Sequence, residues 1–425
     1  MREPLRTMNR KDFELLAPAG SRESLRAAIQ AGADAVYFGV EKLNMRARSS
    51  QQFRLDELEA VVGLCHEHRV RAYLTLNVIV YDHELDEVRR IIDRARDAGI
   101  DAIIATDMAV IAYARSAGLE VHLSTQVNIS NIETVIFFSG LADVMVLARE
   151  LSLEQVKNLH RLMEEQNILG PSGKPVRLEI FVHGALCMAV SGKCYLSLHE
   201  MDSSANRGKC LQTCRKPYTV INRETGYELD VDHEYIMSPK DLMTIHFLNK
   251  ILDAGVRVLK IEGRARGPEY VKTVTACYNE ALDAYCQGDY SEEKIRLWKE
   301  RLATVFNRGF WDGYYLGQKL GEWSGRYGSR ATMRKIRVGK VSNYYTKLRV
   351  VEVRLESGAL RNNEKVLFIG HTTGVVETFV KGLRVDDMAV EEASKGMICT
   401  FRVDEPLRRS DQVYRWVEAR FVMQQ

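Results

Sequence analysis

The sequence predicts an α/β chain built as a parallel (β/α)8 barrel, with a cysteine-rich insertion after strand seven and a small C-terminal all-β barrel domain. Three observations predict it. A short apolar run followed by an amphipathic segment recurs eight times between Phe13 and Tyr285. The runs are continuous rather than alternating, as strands covered on both faces must be. After residue 335 the texture changes to short alternating runs punctuated by Gly and Asn, the signature of an all-β module. The expected boundaries are 1–287 for the barrel, 288–335 for a helical and turn-rich linker, and 336–425 for the β domain.

The first strand and turn read Phe13 to Gly20. Ser21 is placed to cap a helix whose apolar face carries Leu25, Ala28 and Ile29 and which closes at Gly32. The second strand is Ala35 to Val40, followed by a polar loop and a helix from about Asp56 to Arg69. The third, Arg71 to Val80, precedes a helix over Glu84 to Ala98. The fourth is Asp101 to Asp107, with its helix ending at Gly118. The fifth is Glu120 to Asn128, with its helix ending near Gly140. The sixth is Asp143 to Glu150, before a helix over Ser152 to Gln166. The seventh is Arg177 to Gly184, and the cysteine segment, about 187–237, hangs from its end. A helix over Pro239 to Ala254 leads to the eighth strand, Arg257 to Glu262, and a helix over Pro268 to Tyr285 completes the set. A doubly wound open sheet is the competing architecture; a count of eight favours the closed, TIM-like barrel.

Barrels of this kind place their chemistry at the C-terminal ends of the strands. The polar residues expected there are Asn44, Arg46, Arg48, Asn77, Asp107, Gln126, Asn128, Arg149, Glu150, His183, Glu262, Arg264 and Arg266. Asp107, Glu150 and Glu262 are acid or base candidates, although carboxylates at a barrel mouth also form structural salt links. Lone histidines such as His122 and His246 read as packing residues.

Four of the eight cysteines, Cys187, Cys194, Cys210 and Cys214, fall in one run spaced Cys-x6-Cys-x15-Cys-x3-Cys. Their neighbours are Gly, Ser, Lys and Asn, so they have no apolar face to fill. Cys65, Cys277, Cys286 and Cys399 lie among apolar residues and read as small core hydrophobes. The N-terminal stretch is charged and has no apolar core of a signal, and no run is long enough to span a bilayer, so a reducing cytoplasm is expected. There the run reads as metal-binding or redox-active: a [4Fe–4S] cluster, structural zinc or a redox dithiol. Zinc modules pair their cysteines closely, and only Cys210 and Cys214 do so. A place at the mouth, beside His183, argues for a chemical over a structural role.

The formal charge of +3, from 60 basic and 57 acidic residues, argues against a polycation while allowing a local basic patch. Such a patch is Ser324 to Lys340, with Arg326, Arg330, Arg334, Lys335 and Arg337 and no acidic residue, followed by Tyr344 and Tyr345. It reads either as a solvated linker or as an RNA-backbone contact with aromatic stacking. No phosphate-loop, HExxH or GxSxG motif occurs.

Several stretches resemble one family. EIFVHGALCMAVSGKCYLS at Glu179 to Ser197 closely resembles the signature of the collagenase-like peptidase U32 family. ELLAPAGS at Glu14, ADAVYFGV at Ala33, LNMRARS at Leu43, CLQTCRKPY at Cys210, SPKDL at Ser238, KIEGRARGPEYV at Lys260 and FNRGFWDGYYLG at Phe306 extend the likeness across the chain. Within the family, the architecture is most similar to the bacterial tRNA hydroxylation branch. That resemblance implies prephenate-dependent 5-hydroxylation of the tRNA wobble uridine, with a [4Fe–4S] cluster on Cys187, Cys194, Cys210 and Cys214, the last varying in position between branches. It further implies tRNA as partner, prephenate as a dicarboxylate co-substrate for Arg46, Arg48, Arg264 and Arg266, and admits a paralogous subunit. A peptidase, a hydroxylase of another RNA, and a zinc-stabilised RNA-binding protein are the alternatives.

Overall fold

The computed structural model describes residues 8–47, 53–228, 235–318, 321–325 and 327–419. Arg48 and Arg326 lie outside the described residues. The elements follow in chain order: β1 (Glu14–Pro18), α1 (Arg22–Gln30), β2 (Ala35–Phe38), α2 (Leu58–Glu67), β3 (Arg71–Leu76), α3 (Leu85–Asp97), β4 (Ala102–Ala105), α4 (Met108–Ser116), β5 (Glu120–Leu123), α5 (Ile132–Ser139), β6 (Val144–Val146), α6 (Leu153–Glu165), β7 (Arg177–Gly184), α7 (Leu196–Met201), β8 (Asp241–Met243), α8 (Leu248–Asp253), β9 (Val258–Ile261), α9 (Pro268–Cys286), α10 (Glu292–Thr304) and β10 (Phe310–Trp311). Strands β1 to β7 pair in sequence order and in parallel. β9 pairs with both β7 and β1, closing an eight-stranded parallel barrel. Helix starts follow the expected chemistry: the side chains of Ser21, Asn131 and Ser152 each accept a backbone N–H of the first turn. No helix among the described residues is long and apolar enough to cross a membrane.

The barrel interior is layered. At its floor the buried Glu14 carboxylate accepts from the Tyr73 hydroxyl at 2.7 Å and pairs with Arg177 at 2.7 Å and with Arg71. Above it Leu16, Ala35, Ile104, Val144 and Val258 fill the bore. Higher still, Lys260 donates to Glu179 at 2.6 Å, with both side chains almost wholly buried.

Three departures from the sequence reading matter for the site. First, β7 carries a bulge. Phe181 stands opposite Lys260 but His183 stands opposite Ile261, so two steps on β7 match one on β9. A bulge inserts one residue and reverses the facing of the residues beyond it. Glu179 and Phe181 face the bore as period two requires, whereas His183 shares the outward facing of Ile261. Second, the helix expected from Pro239 begins only at Leu248. Residues 241–243 instead form β8, antiparallel to the end of β7, with β10 added beside it. Third, the region 288–335, expected as a helical and turn-rich linker, is helical at α10 and packs on the barrel: α10 lies against α9, and β10 pairs with β8. Strands three to six also end earlier than predicted, leaving Asn77, Asp107 and Glu150 in loops and Gln126 in a single 3-10 turn, Thr125–Val127.

From Met333 the chain forms an antiparallel all-β module. Its first strand is β11 (Met333–Tyr345), so the second half of the basic stretch lies in a strand and not in a solvated linker. Nine more follow: β12 (Val350–Leu355), β13 (Ala359–Arg361), β14 (Lys365–Gly370), β15 (Gly374–Phe379), β16 (Arg384–Val385), β17 (Met388–Ala389), β18 (Glu392–Ser394), β19 (Ile398–Arg402) and β20 (Gln412–Glu418). The main sheet runs β15-β14-β20-β11-β12-β19-β16-β17, with no pairing between its two ends among the described residues. The module grips the barrel through Gln30, whose side-chain amide donates to the Thr373 carbonyl at 2.8 Å and accepts the Val375 N–H at 3.1 Å.

Cys65, Cys277 and Cys399 are fully buried, and burial pushes each thiol up to about 12. They are inert core residues, as the sequence predicts.

The Glu179–Lys260 pair supplies a test. Lys260→Met leaves a buried carboxylate without its cation and is expected to cost about 3–5 kcal/mol. Glu179→Leu combined with Lys260→Met is expected to recover most of that loss in urea-unfolding midpoints.

Candidate active site

The loops after β2, β3, β5, β6, β7 and β9 enclose a cavity of about 90 Å³ at the C-terminal end of the barrel. Tyr37, Arg46, Asn77, Gln126, Arg149, Phe181, Cys187, Lys260, Glu262 and Arg264 are among its walls. Lys260 stands on β9 and Glu262 and Arg264 on the loop that follows it, and all three line the cavity. The Lys260 ammonium lies 4.8 Å from the Tyr37 ring centre and 5.6 Å from that of Phe181. Burial lowers its pKa, against the opposing pull of Glu179.

Among the described residues Glu262 is the cavity's one acidic wall residue. Arg46 Nη2 reaches its Oε1 at 3.1 Å, and the Ala185 N–H points at Oε2 from 3.4 Å. Burial alone would raise the Glu262 carboxyl, but Arg46, Arg266 and Arg149 together hold it at about 2. It is therefore ionised at neutral pH and unsuited to donate a proton there. Arg264 donates to Asn44 Oδ1 at 3.0 Å and to Thr75 Oγ1 at 2.7 Å; burial brings its pKa down to about 10. Arg149 stacks on the Phe181 ring at 3.9 Å and donates to the Ala185 carbonyl at 3.1 Å. Asn77 and Gln126 are interlocked: Gln126 Nε2 donates to the Asn77 carbonyl at 2.8 Å, and Asn77 Oδ1 accepts the Met45 N–H at 3.1 Å.

The structure brings Asn44, Arg46, Asn77, Gln126, Glu262 and Arg264 together around this cavity. It sets five predicted residues apart, of which Asn128 and Glu150 line a neighbouring cavity with Arg149 and Cys187. Turned outward by the bulge, His183 packs against Tyr270, Tyr278 and Phe310 and is 1% exposed. Burial, helped by the Arg266 charge, pushes its pKa down to about 3. Asp107 caps α4, accepting Ala109 N–H on one oxygen at 2.9 Å and Val80 N–H on the other at 3.0 Å. Arg266 lies against the Phe306 ring at 3.7 Å and faces a second cavity. In the basic stretch, Lys335 is paired with Glu269 at 2.7 Å and Arg337 with Glu356 at 2.6 Å, while Arg330 is half-buried and Arg334 exposed.

The described residues of 185–228 and 235–240 bury almost no apolar core and are held by two arginines. Arg207 forms a two-pronged pair with Glu84 in the β3–α3 loop and stacks on Tyr81 at 4.4 Å. Arg215 donates to the Leu186 and Pro239 carbonyls at 2.5 and 2.6 Å and to Ser238 Oγ at 3.0 Å. It thus ties the backbone beside Cys187 to the turn that carries Cys214. Gly208, at φ +72°, presses so close that a Cβ there would meet the Asn44 carbonyl oxygen at 2.1 Å.

The four cysteine thiols of the segment are free. Burial raises Cys214, and Cys187, Cys210 and Cys194 add to the rise, so all three lie within electrostatic reach of Cys214. Among the described residues no three His, Cys, Asp or Glu side chains are gathered closely enough to hold a single metal ion. The Gln212 N–H points at Cys210 Sγ from 3.4 Å and the Ser197 hydroxyl from 3.9 Å. Arg46 belongs to the same field: burial lowers its pKa, but Glu262, Cys187 and Cys210 raise it above its ordinary value. Soft donors with N–H and O–H groups aimed at sulfur suit a thiolate-bound metal or cluster. Sequence reasoning missed Arg215 and Lys260. Lys260 had one signal, a lysine inside an apolar strand.

A family model described as peptidase family U32 matches residues 20–325. A protein named collagenase from Porphyromonas gingivalis is 57% identical over 409 residues, covering 96% of this chain and 99% of the relative. The 23S rRNA 5-hydroxycytidine C2501 synthase of Escherichia coli is 35% identical over 326 residues, covering 74% of this chain and 47% of the relative. The tRNA hydroxylation protein P1 of Bacillus subtilis is 33% identical over 315 residues, covering 72% of each.

His183 makes a pH prediction. A base whose folded pKa lies below its unfolded value of about 6.5 stabilises the fold fully above that pH. The contribution fades as pH falls towards 3. His183→Phe, which suits the surrounding rings, is expected to remove about 2–3 kcal/mol of the stability loss between pH 6.5 and 4.5. Urea midpoints of parent and variant across that window measure the difference.

Proposed function

This chain belongs to peptidase family U32, and we propose that it is an RNA hydroxylase, forming 5-hydroxyuridine at the wobble position of tRNA with prephenate as co-substrate. The observation that carries the reading is the charge of the mouth. Among the described residues, four basic ones, Arg46, Arg149, Lys260 and Arg264, line the cavity against one carboxylate, Glu262. A dicarboxylate is the complementary ligand, and guanidinium groups bind carboxylates through paired, planar hydrogen bonds. The two RNA-hydroxylating relatives support the substrate class.

In this reading Glu262 stays ionised and fixes Arg46, while Arg264, braced by Asn44 and Thr75, presents its remaining edge to the anion. Asn77 and Gln126 supply amides for the polar edge of a pyrimidine. A base must leave its stack to reach a barrel mouth, which a single-stranded anticodon loop allows at low cost. Replacing C5–H by C5–OH removes two electrons from the base. The exchange balances when the co-substrate gives up its hydroxyl group and is itself reduced by the same two electrons, taking a hydrogen in its place. Cys187, Cys194, Cys210 and Cys214 would hold a [4Fe–4S] cluster, which supplies electron-transfer capacity when bound. Zinc is the alternative on the same sulfurs. His183 and Asp107 act here as structural residues. The exposed Arg334, with Arg330, remains available to an RNA backbone.

A peptidase is the second reading, and the collagenase-named relative favours it. Against it, the cavity hydroxyl of Ser124 is engaged with Gln126, not with a base.

Anaerobic purification followed by metal, sulfide and absorbance analysis is expected to give about four irons per chain, reduced by Cys210→Ser. Deletion of the gene is expected to deplete 5-hydroxyuridine derivatives in tRNA hydrolysates, with recovery from the parent gene and not from Arg264→Met. A colourless protein holding one zinc overturns the cluster. Unchanged nucleosides, together with gelatin cleavage that survives Cys210→Ser, overturn the hydroxylase in favour of the peptidase.

A further inference from the structure

The segments that wall the first cavity also wall a second, of about 660 Å³. The loop after β9 gives Arg264 to the first and Arg266 to the second, and the cysteine segment gives Cys187 to one and Cys210 to the other. The proposed chemistry uses only the first.

Arg215, Lys216, Arg266 and Arg308 line the second cavity, and no acidic residue does so among the described residues. Two acids stand behind this wall: Asp241, 3.3 Å from Arg308, and Glu200, 3.7 Å from Lys216. Four cations against two anions leave a net charge of about +2. The cations differ in how far they are committed. Arg215 is spent on carbonyls of the cysteine segment and the Pro239 turn. Arg266 has its flat face on Phe306 at 3.7 Å and finds no hydrogen-bond acceptor among the described residues. A guanidinium fixed by ring stacking keeps its N–H edge for an incoming oxyanion. At the wall stands Tyr327, 72% exposed, a large ring with no partner ring among the described residues. The volume lies within the range of small-ligand sites, roughly 300–1,000 Å³.

We infer that this cavity seats a nucleotide of the single-stranded RNA substrate that flanks the target base. Its phosphate lies on Arg266 with Lys216 and Arg308, and its base stacks on Tyr327. The inference rests on the RNA reading of the first cavity and adds a second contact point. The strand then crosses the loop after β9, from the cationic, aromatic cavity to the mouth. An acidic electron-carrier protein is the competing occupant; concavity and a single exposed ring favour a planar anion of nucleotide size.

The test is fluorescence anisotropy of the full-length, anaerobically purified protein with fluorescein-labelled octauridylate at several salt concentrations. Tyr327→Ala is expected to weaken binding about 5- to 100-fold, whereas Tyr327→Phe stays within about twofold of the parent. Arg266→Gln is expected to lower the slope of log Kd against log salt by about 0.7, the loss of one phosphate contact. Unchanged iron content and melting curves establish that the variants are folded. Parent-like affinity and slope in both Tyr327→Ala and Arg266→Gln overturn the inference, as does failure of the parent to bind the oligonucleotide. The same variants slowing reduction by an acidic electron carrier, with oligonucleotide binding intact, overturn it in favour of that partner. Nucleoside analysis separates the two claims. Depleted 5-hydroxyuridine with Tyr327-independent binding removes only this inference, whereas Tyr327-dependent binding with unchanged nucleosides removes only the proposed reaction.

Discussion

A barrel mouth that buries several guanidinium groups must also supply an anion, and Glu262 is that anion. One oxygen takes Arg46 from the loop after β2, and the other faces the Ala185 N–H at the end of β7. The charges of Arg149 and Arg266 bear on the same carboxylate. Loops that would otherwise repel one another are thus drawn to one point. Without Glu262 the cationic wall would lose its internal counterion, and the cost of burying like charges would fall on the loops.

The cysteine segment meets the complementary problem. Few of its described apolar side chains are buried, and Met188, Tyr195, Met201 and Ile221 are exposed, so hydrophobic burial does little to position it. Arginine forks do so instead. Arg207 reaches across to Glu84, and Arg215 ties together the stretches beside Cys187, Cys214 and Ser238. Each guanidinium engages several acceptors at fixed angles, which restrains a loop more tightly than a point charge would. Gly208 then lets the backbone settle against Asn44 where any side chain would collide.

The eight barrel strands were legible because each is an apolar run of the right length, bounded by Gly or by a capping residue. The cavity residues Asn44, Arg46, Asn77, Gln126, Glu262 and Arg264 were legible for the same reason, since strand ends locate the mouth. His183 was not. Period two carries Glu179 and Phe181 inward, and nothing in the local sequence announces that β7 takes an extra residue before His183. β8 was hidden as well, because Asp241–Met243 is too short for alternation to show against the helix that comes after it. The basic stretch misled in another way. Its acidic partners, Glu269 and Glu356, are distant in sequence and become neighbours only in the folded chain.

The closing pair of the barrel has a consequence for the order in which the chain is made. β1 pairs with β9, and Glu14 meets Val258 across that seam. At synthesis rates of about 5–20 residues per second, β1 leaves the ribosome roughly 10–50 s before its second neighbour exists. Throughout that interval one edge of β1 is an unpaired strand, apolar in all but its first residue. The module's central strand β11 waits in the same way for β20, which lies more than sixty residues further along the chain. Two such open edges leave the nascent chain exposed to mispairing while it is synthesised, so slower translation between β1 and β9 is expected to lower the yield and leave the finished molecule unchanged.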